Sequence, residues 1–135
     1  MRRTIVNPKT IAKPIAPYSH VAIVEARRLA FIAGQIAMDK KGKVGGKGDF
    51  ERQFHQVFAN LNGLLKGIGA SFNHVVQFTT FLVDSRDIPT FFEVRNAYFK
   101  KIFPKKDYPP NTLLVIDRLA LEDFLLEVEA IAALD

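Results

Sequence analysis

Apolar positions repeat at period two over several stretches of this chain and at three-to-four spacing over two others. The longest alternation is Phe124 to Ala133. It places Leu126, Val128, Ala130 and Ala132 on one face of a strand and Leu125, Glu127, Glu129 and Ile131 on the other. Thr112 to Ile116 is a short apolar run suited to a covered sheet. Pro109 and Pro110 hold the chain extended before Asn111, and Leu119 to Asp123 connects the two strands.

Upstream, residues 1–18 are extended, interrupted by Pro8, Pro14 and Pro17, with room for a short strand. Val21 to Ala26 and Leu29 to Ile36 are predicted strands, with Arg27 and Arg28 as the turn of a hairpin. Asp49 is a helix N-cap. Phe50, Phe54, Val57, Phe58, Leu61, Leu65 and Ile68 then form one apolar stripe, closed by Gly67 and Gly69. Val75 to Val83 is β-branched and aromatic, as strands prefer. Asp87 and Pro89 open a second helix with the stripe Phe91, Val94, Tyr98 and Ile102, ending before Pro104. The predicted order is β-β-α-β-α-β-β, an α+β fold with two helices packed on one face of a mixed sheet. The other face keeps Ile, Val and Phe residues, which predicts an oligomer that covers it.

Composition narrows the chemistry. With no cysteine, disulfides, thiolate catalysis and cysteine-based metal sites are excluded. That usage, with no apolar leader or run long enough for a membrane helix, fits a cytoplasmic protein with no membrane partner. The length fits one domain, residues 1–135. His20, His55 and His74 are scattered, so neither a metal site nor a cofactor is expected. Part of the net charge of +5 sits in two lysine clusters, Lys40, Lys41, Lys43 and Lys47, and Lys100, Lys101, Lys105 and Lys106. Nucleic-acid contact is open to such a surface, but no aromatic residues interleave to stack bases, and a solvated face is the simpler reading. Gly42 to Lys47 is one residue short of a phosphate-binding P-loop, and Gly48 stands where Ser or Thr would hold magnesium. Glu127 and Glu129, on an otherwise apolar strand, must be paired or wetted. A solvated outer face and a functional site both satisfy that.

Several separate stretches carry a family resemblance. Glu127-Val128-Glu129-Ala130-Ile131-Ala132 follows an aromatic-Pro-x-x-Thr pattern ending at Thr112, and upstream lie Ala16-Pro17-Tyr18-Ser19-His20 and Ala33-Gly34-Gln35-Ile36. Phe78 to Asp84 and Asn96 to Phe99 add to them. In order and spacing the chain resembles the reactive-intermediate deaminase family (Rid, or YjgF) from about residue 7 to its end. The resemblance implies a chorismate-mutase-like fold and a homotrimer whose sheets line a central barrel, with three clefts between neighbouring subunits. It implies a small, anionic ligand and, in enzymatic members, hydrolysis of 2-iminobutanoate- or 2-iminopropanoate-type imines. Carried over by position, Tyr18, Gly34 and Thr112 line the cleft and Glu127 positions the hydrolytic water.

One position departs from the family. The arginine that clamps the substrate carboxylate in such enzymes falls on Asn111, while Arg118 lies seven residues further on. The family's cleft asparagine, three residues before the helix tyrosine, falls on Arg95, as if the two had changed places. Alternatively Arg95 snorkels to solvent, and Asn96 fills the asparagine role in a shifted register. Two functional classes follow: an imine-hydrolysing enzyme with altered charge, or a non-catalytic trimer binding metabolites, RNA or protein. Ribonuclease and translation-inhibitor roles are described in the family, but no acid/base histidine pair supports the former here.

Overall fold

A computed structural model describes all 135 residues, and its elements follow the order predicted by the periodicities, with a short strand added at the N-terminus. They are β1 (Arg2–Val6), β2 (Val21–Glu25), β3 (Arg28–Gln35), α1 (Phe50–Gly67), β4 (Val75–Leu82), α2 (Ile88–Ile102), β5 (Asn111–Val115) and β6 (Leu126–Leu134). Four strands form one mixed sheet in the order β3-β6-β4-β5. Strand β6 is antiparallel to both neighbours, and β4 and β5 are parallel, joined through α2 as a crossover requires. No helix is long and apolar enough to cross a membrane.

The sheet has one sealed face. Leu126, Val128, Ala130 and Ala132 pack into the core with Phe54, Phe58, Leu61 and Leu65 of α1 and with Phe91, Val94 and Phe99 of α2. Phe58 stacks on Phe54 at 4.5 Å between ring centroids and meets Phe99 edge-on at 5.9 Å. These separations suit aromatic pairs. The ends of α1 follow the predicted chemistry. Asp49 accepts a hydrogen bond from the Arg52 N–H at 3.1 Å, and Gly69 takes the left-handed φ of +73° beyond the last turn. Ile68, predicted in the stripe, is instead half exposed beyond the helix.

The opposite face is open in a single chain. Phe31 is 75% and Leu29 55% exposed, and Leu114 at 41% lies on the same side. The predicted uncovered apolar face is therefore present.

The N-terminal region departs from the predicted hairpin. Strand β2 pairs antiparallel with β1, not with β3, and β3 pairs only with β6. The link explains the difference. A two-residue hairpin loop favours turns with positive φ, which Gly, Asn and Asp supply. Ala26 and Arg27 have neither that chemistry nor positive φ. Arg27 N–H already donates to Leu134 O at 3.1 Å, so the β3 ladder begins before Arg28 and the chain runs on without reversing. The β1–β2 ribbon packs instead at the Val75 end of β4. Arg3 fastens it there, donating to Val75 O and, at 2.7 Å, to Asp107 Oδ2.

Gln53 is a polar residue in the apolar stripe of α1, fully buried. Its amide closes the approach to β6, donating to Asp123 O at 2.7 Å and accepting from Leu125 N–H at 2.8 Å. Gln53→Leu keeps the volume but leaves both backbone groups without partners, at about 1–3 kcal/mol each. Urea unfolding should therefore show a loss of roughly 2–4 kcal/mol despite the greater apolarity. An unchanged midpoint would mean that water or another group satisfies them.

Candidate functional site

Strand alternation and register decide where each candidate side chain stands. Asn111 pairs with Phe78, which pairs with Ala130, so Asn111 belongs to the helix-covered side of the sheet. Its Oδ1 accepts from the buried Thr80 hydroxyl at 2.8 Å. Glu127 pairs with Phe81, and Thr112 with Thr79, both on the open face. In one chain the predicted site therefore divides. Asn111 and Arg95 lie on the helix side, whereas Glu127, Gly34 and Thr112 lie towards the open face. Only a neighbouring copy could bring the two groups into one cleft.

Gly34 sits where the β3–β6 register slips, between Ile32 and Gln35. The Glu127 side chain crosses directly over it. A Cβ at position 34 would come within 2.7 Å of Glu127 Cγ and Cδ and closer still to Oε1. Glycine here makes room for the carboxylate. Half-buried, Glu127 has its pKa raised by burial and, secondarily, by Glu129, which is exposed on the same face. The outer-face reading thus suits Glu129 and not Glu127.

Arg95 is 1% exposed, so it does not snorkel; Asn96, next to it, is the solvent-facing residue. The guanidinium lies over Phe91 at 4.7 Å, Phe92 at 5.3 Å and Phe99 at 5.6 Å from the ring centroids. None of its three nitrogens has a hydrogen-bond partner. Burial lowers its pKa to about 10, and a nearby Tyr18 acts the other way. It therefore remains a cation at neutral pH. Cation–π contacts return about 0.5–2 kcal/mol each, well short of what a buried unpaired charge costs. Arg118 is far from this arrangement in role, bonding to Leu119 O and pairing loosely with Glu122. Sequence spacing pointed to position 95, and its three rings stand three and four residues away on the same helix, where helical spacing puts them; only the sealing of the guanidinium from water comes from packing.

Several hollows of the single chain lie elsewhere. One is lined by Gly45, Gly46, Arg52 and His55, another by Asp39, Lys40, Lys41 and Lys43, and a third by Asn7, Pro8 and Lys9. The histidines remain apart: His20 bonds to Ala12 O, His74 to Ser71, and His55 faces Glu51 at 3.8 Å.

The raised pKa of Glu127 has a stability consequence with a definite sign. A carboxyl whose folded pKa exceeds its unfolded value favours the fold most below the unfolded pKa, and that contribution is lost as pH rises through the folded pKa. Glu127→Gln should therefore stabilise the chain at pH 7 and lose that advantage near pH 4. Chemical denaturation of both proteins across that range would show it. A Gln variant less stable at pH 7 than the parent would reverse the assignment.

Comparison with known proteins agrees with this architecture. The family model described as Endoribonuclease L-PSP matches residues 9–134. The RutC family protein PH0854 of Pyrococcus horikoshii is 35% identical over 130 residues, 96% of this chain and 97% of that protein. The human 2-iminobutanoate/2-iminopropanoate deaminase is 32% identical over 104 residues, 77% of this chain and 74% of the deaminase. Among solved structures, the conserved Rid family protein YyfB of Yersinia pestis superposes with a TM-score of 0.87 at 32% identity, covering 99% of this chain and 100% of its own. The α+β sheet with its one-sided helix pair and the match along nearly the whole chain lead to one assignment: this chain belongs to the Endoribonuclease L-PSP family, also called the RutC or Rid family.

Proposed function

We propose that this protein binds small anionic metabolites in clefts between three copies of the chain, and that its hydrolysis of 2-imino acids is weak or missing. The observation that carries this reading is the Arg95 guanidinium, buried, charged and without a partner on any nitrogen. A group in that condition is stabilised by an anion far more than a solvated arginine would be. Its planar fork matches a carboxylate. Tyr18, near Arg95, supplies a hydroxyl for the same ligand. Thr80 and Asn111 stand on that side of the sheet as neutral polar groups.

Glu127, held over Gly34, orients a water in this reading. A carboxylate whose pKa is raised by burial is a better proton acceptor than a solvated one. It reaches the ligand of a neighbouring copy, since it lies on the opposite side of its own sheet from Arg95. The exposed Leu29, Phe31 and Leu114 are the surface that such an assembly covers. Asn111 has no charge with which to fix a substrate carboxylate, and its Oδ1 is already engaged by Thr80. Deaminase relatives set the comparison for activity.

Losing a two-pronged charged clamp costs roughly ten- to a thousandfold in kcat/KM. Against 2-iminopropanoate generated in situ, this protein should fall below the human deaminase by that factor, and Asn111→Arg should recover part of it. Activity equal to that enzyme under matched conditions would refute the reading. Binding is tested with 2-oxobutanoate, a stable carboxylate of the same shape. Arg95→Ala should abolish its calorimetric signal and leave the mass by light scattering at three chains. Arg86→Ala, in an exposed turn paired only with Asp84, should bind as the parent does. A single-chain mass at micromolar concentration would remove the clefts altogether.

A further inference from the structure

We infer that β2 of one copy pairs antiparallel with β3 of the next, so that the copies join edge to edge into one continuous sheet. The inference goes beyond the trimer proposed above by naming the strands that make the joint. Each molecule carries four unused strand edges, on β1, β2, β3 and β5, and those of β2 and β3 are consecutive in the chain. Strand β3 is hydrogen-bonded on one side only, to β6, along its eight residues. Strand β2 is hydrogen-bonded only to β1 along its five. Unpaired edges of apolar strands are templates for another strand, and neither edge here carries the prolines or bulk of lysines that usually block one.

The partner is a second copy because these edges are those a hairpin would join within one chain. The link between them prevents that: it lacks turn chemistry, and Arg27 is already committed to Leu134. The ribbon is held away by Arg3, bonded to Val75 O and Asp107. The complementarity of the strands is intact, and only another molecule can use it.

One register satisfies both strands. Placing Glu25 opposite Arg28 sets opposite charges at one end and pairs all of β2 with Arg28–Ile32, stopping before the irregularity at Gly34. It places Ile23, 57% exposed in the single chain, beside Ala30, and Ala22 and Val24 beside the exposed Phe31 and Leu29. Where each copy lends β2 to one neighbour and receives β2 from another, the contact is head to tail and forms a ring if the rotation closes.

The chain has no cysteine, which makes a direct test possible. Ile23→Cys and Ala30→Cys are prepared as separate single variants, mixed after reversible dissociation in urea and oxidised. The expected product is a covalent pair containing one of each variant, formed much faster than either variant pairs with itself or with Ile11→Cys in the exposed loop. The double variant should give chains linked to one another. A double variant that closes only within single chains, or mixed singles that link no faster than the loop control, would overturn the pairing.

Hydrogen exchange on the unmodified protein provides a second reading. The alternate amides of β2 and β3 that β1 and β6 do not hold should be protected when the protein is assembled and lose protection on dilution to single chains, while β4 and β6 stay protected. Those alternate amides exchanging as fast as the Ile11–Lys13 loop at every concentration would overturn it as well. A three-chain mass without the Ile23–Ala30 link would end this inference and leave the trimer reading standing.

Discussion

Strand β6 is paired along both edges, and its two faces have opposite requirements, so most of the structure is built around its alternation. Leu126, Val128, Ala130 and Ala132 demand a dry cover, which α1 and α2 provide. The intervening residues, Glu127, Glu129 and Ile131, cannot receive a second helical layer without burying carboxylates. A one-residue slip in register would exchange these faces, at the cost of the whole core. The one-sided helix layer, the half-buried Glu127 and the exposed Phe31 therefore share one cause. Burial on one side obliges the strand to show its remaining residues on the other.

The polar groups inside the helix layer divide into settled and unsettled. Gln53 is settled, since both ends of its amide meet backbone groups ahead of β6. Thr80 is settled by Asn111. Arg95 is not, although its carbon chain and its guanidinium face are well packed against phenylalanine rings. Aromatic rings stabilise a cation over their faces but cannot accept its in-plane N–H bonds. The difference separates side chains that hold the fold from one whose donors the fold leaves without partners.

Edges follow a different logic from faces. A sheet of four strands ends at β3 and β5, and the β1–β2 ribbon covers neither of them by hydrogen bonding. A short link without glycine or asparagine carries the chain straight past the point where it would fold back. What looks like a local detail at Ala26 and Arg27 then sets which backbone groups remain available to other molecules.

Local periodicity alone determined the two helices, the strands and the sealed face of β6, because burial on one side imposes periods of 3.6 and 2 that need no partner to be recognised. Phe54 and Phe58 were legible as core from the stripe, and Asp49 as its cap. Glycine 34 and Glu127 were also legible, as matching positions in a family resemblance, though not their direct contact, which depends on a register slip between strands about a hundred residues apart in sequence. Pairing partners were not legible. Val21–Glu25 has the pattern of a strand whether it joins β1 or β3; the link at Ala26 and Arg27 lacks turn chemistry, and Arg3 at Val75 and Asp107 holds the ribbon away from β3 by contacts that no local pattern contains. The burial of Arg95 belongs to the same class: the rings beside it are its own neighbours on α2, three and four residues away, and follow from helical spacing, but the sealing of the guanidinium from water came only from the packing of the tertiary structure.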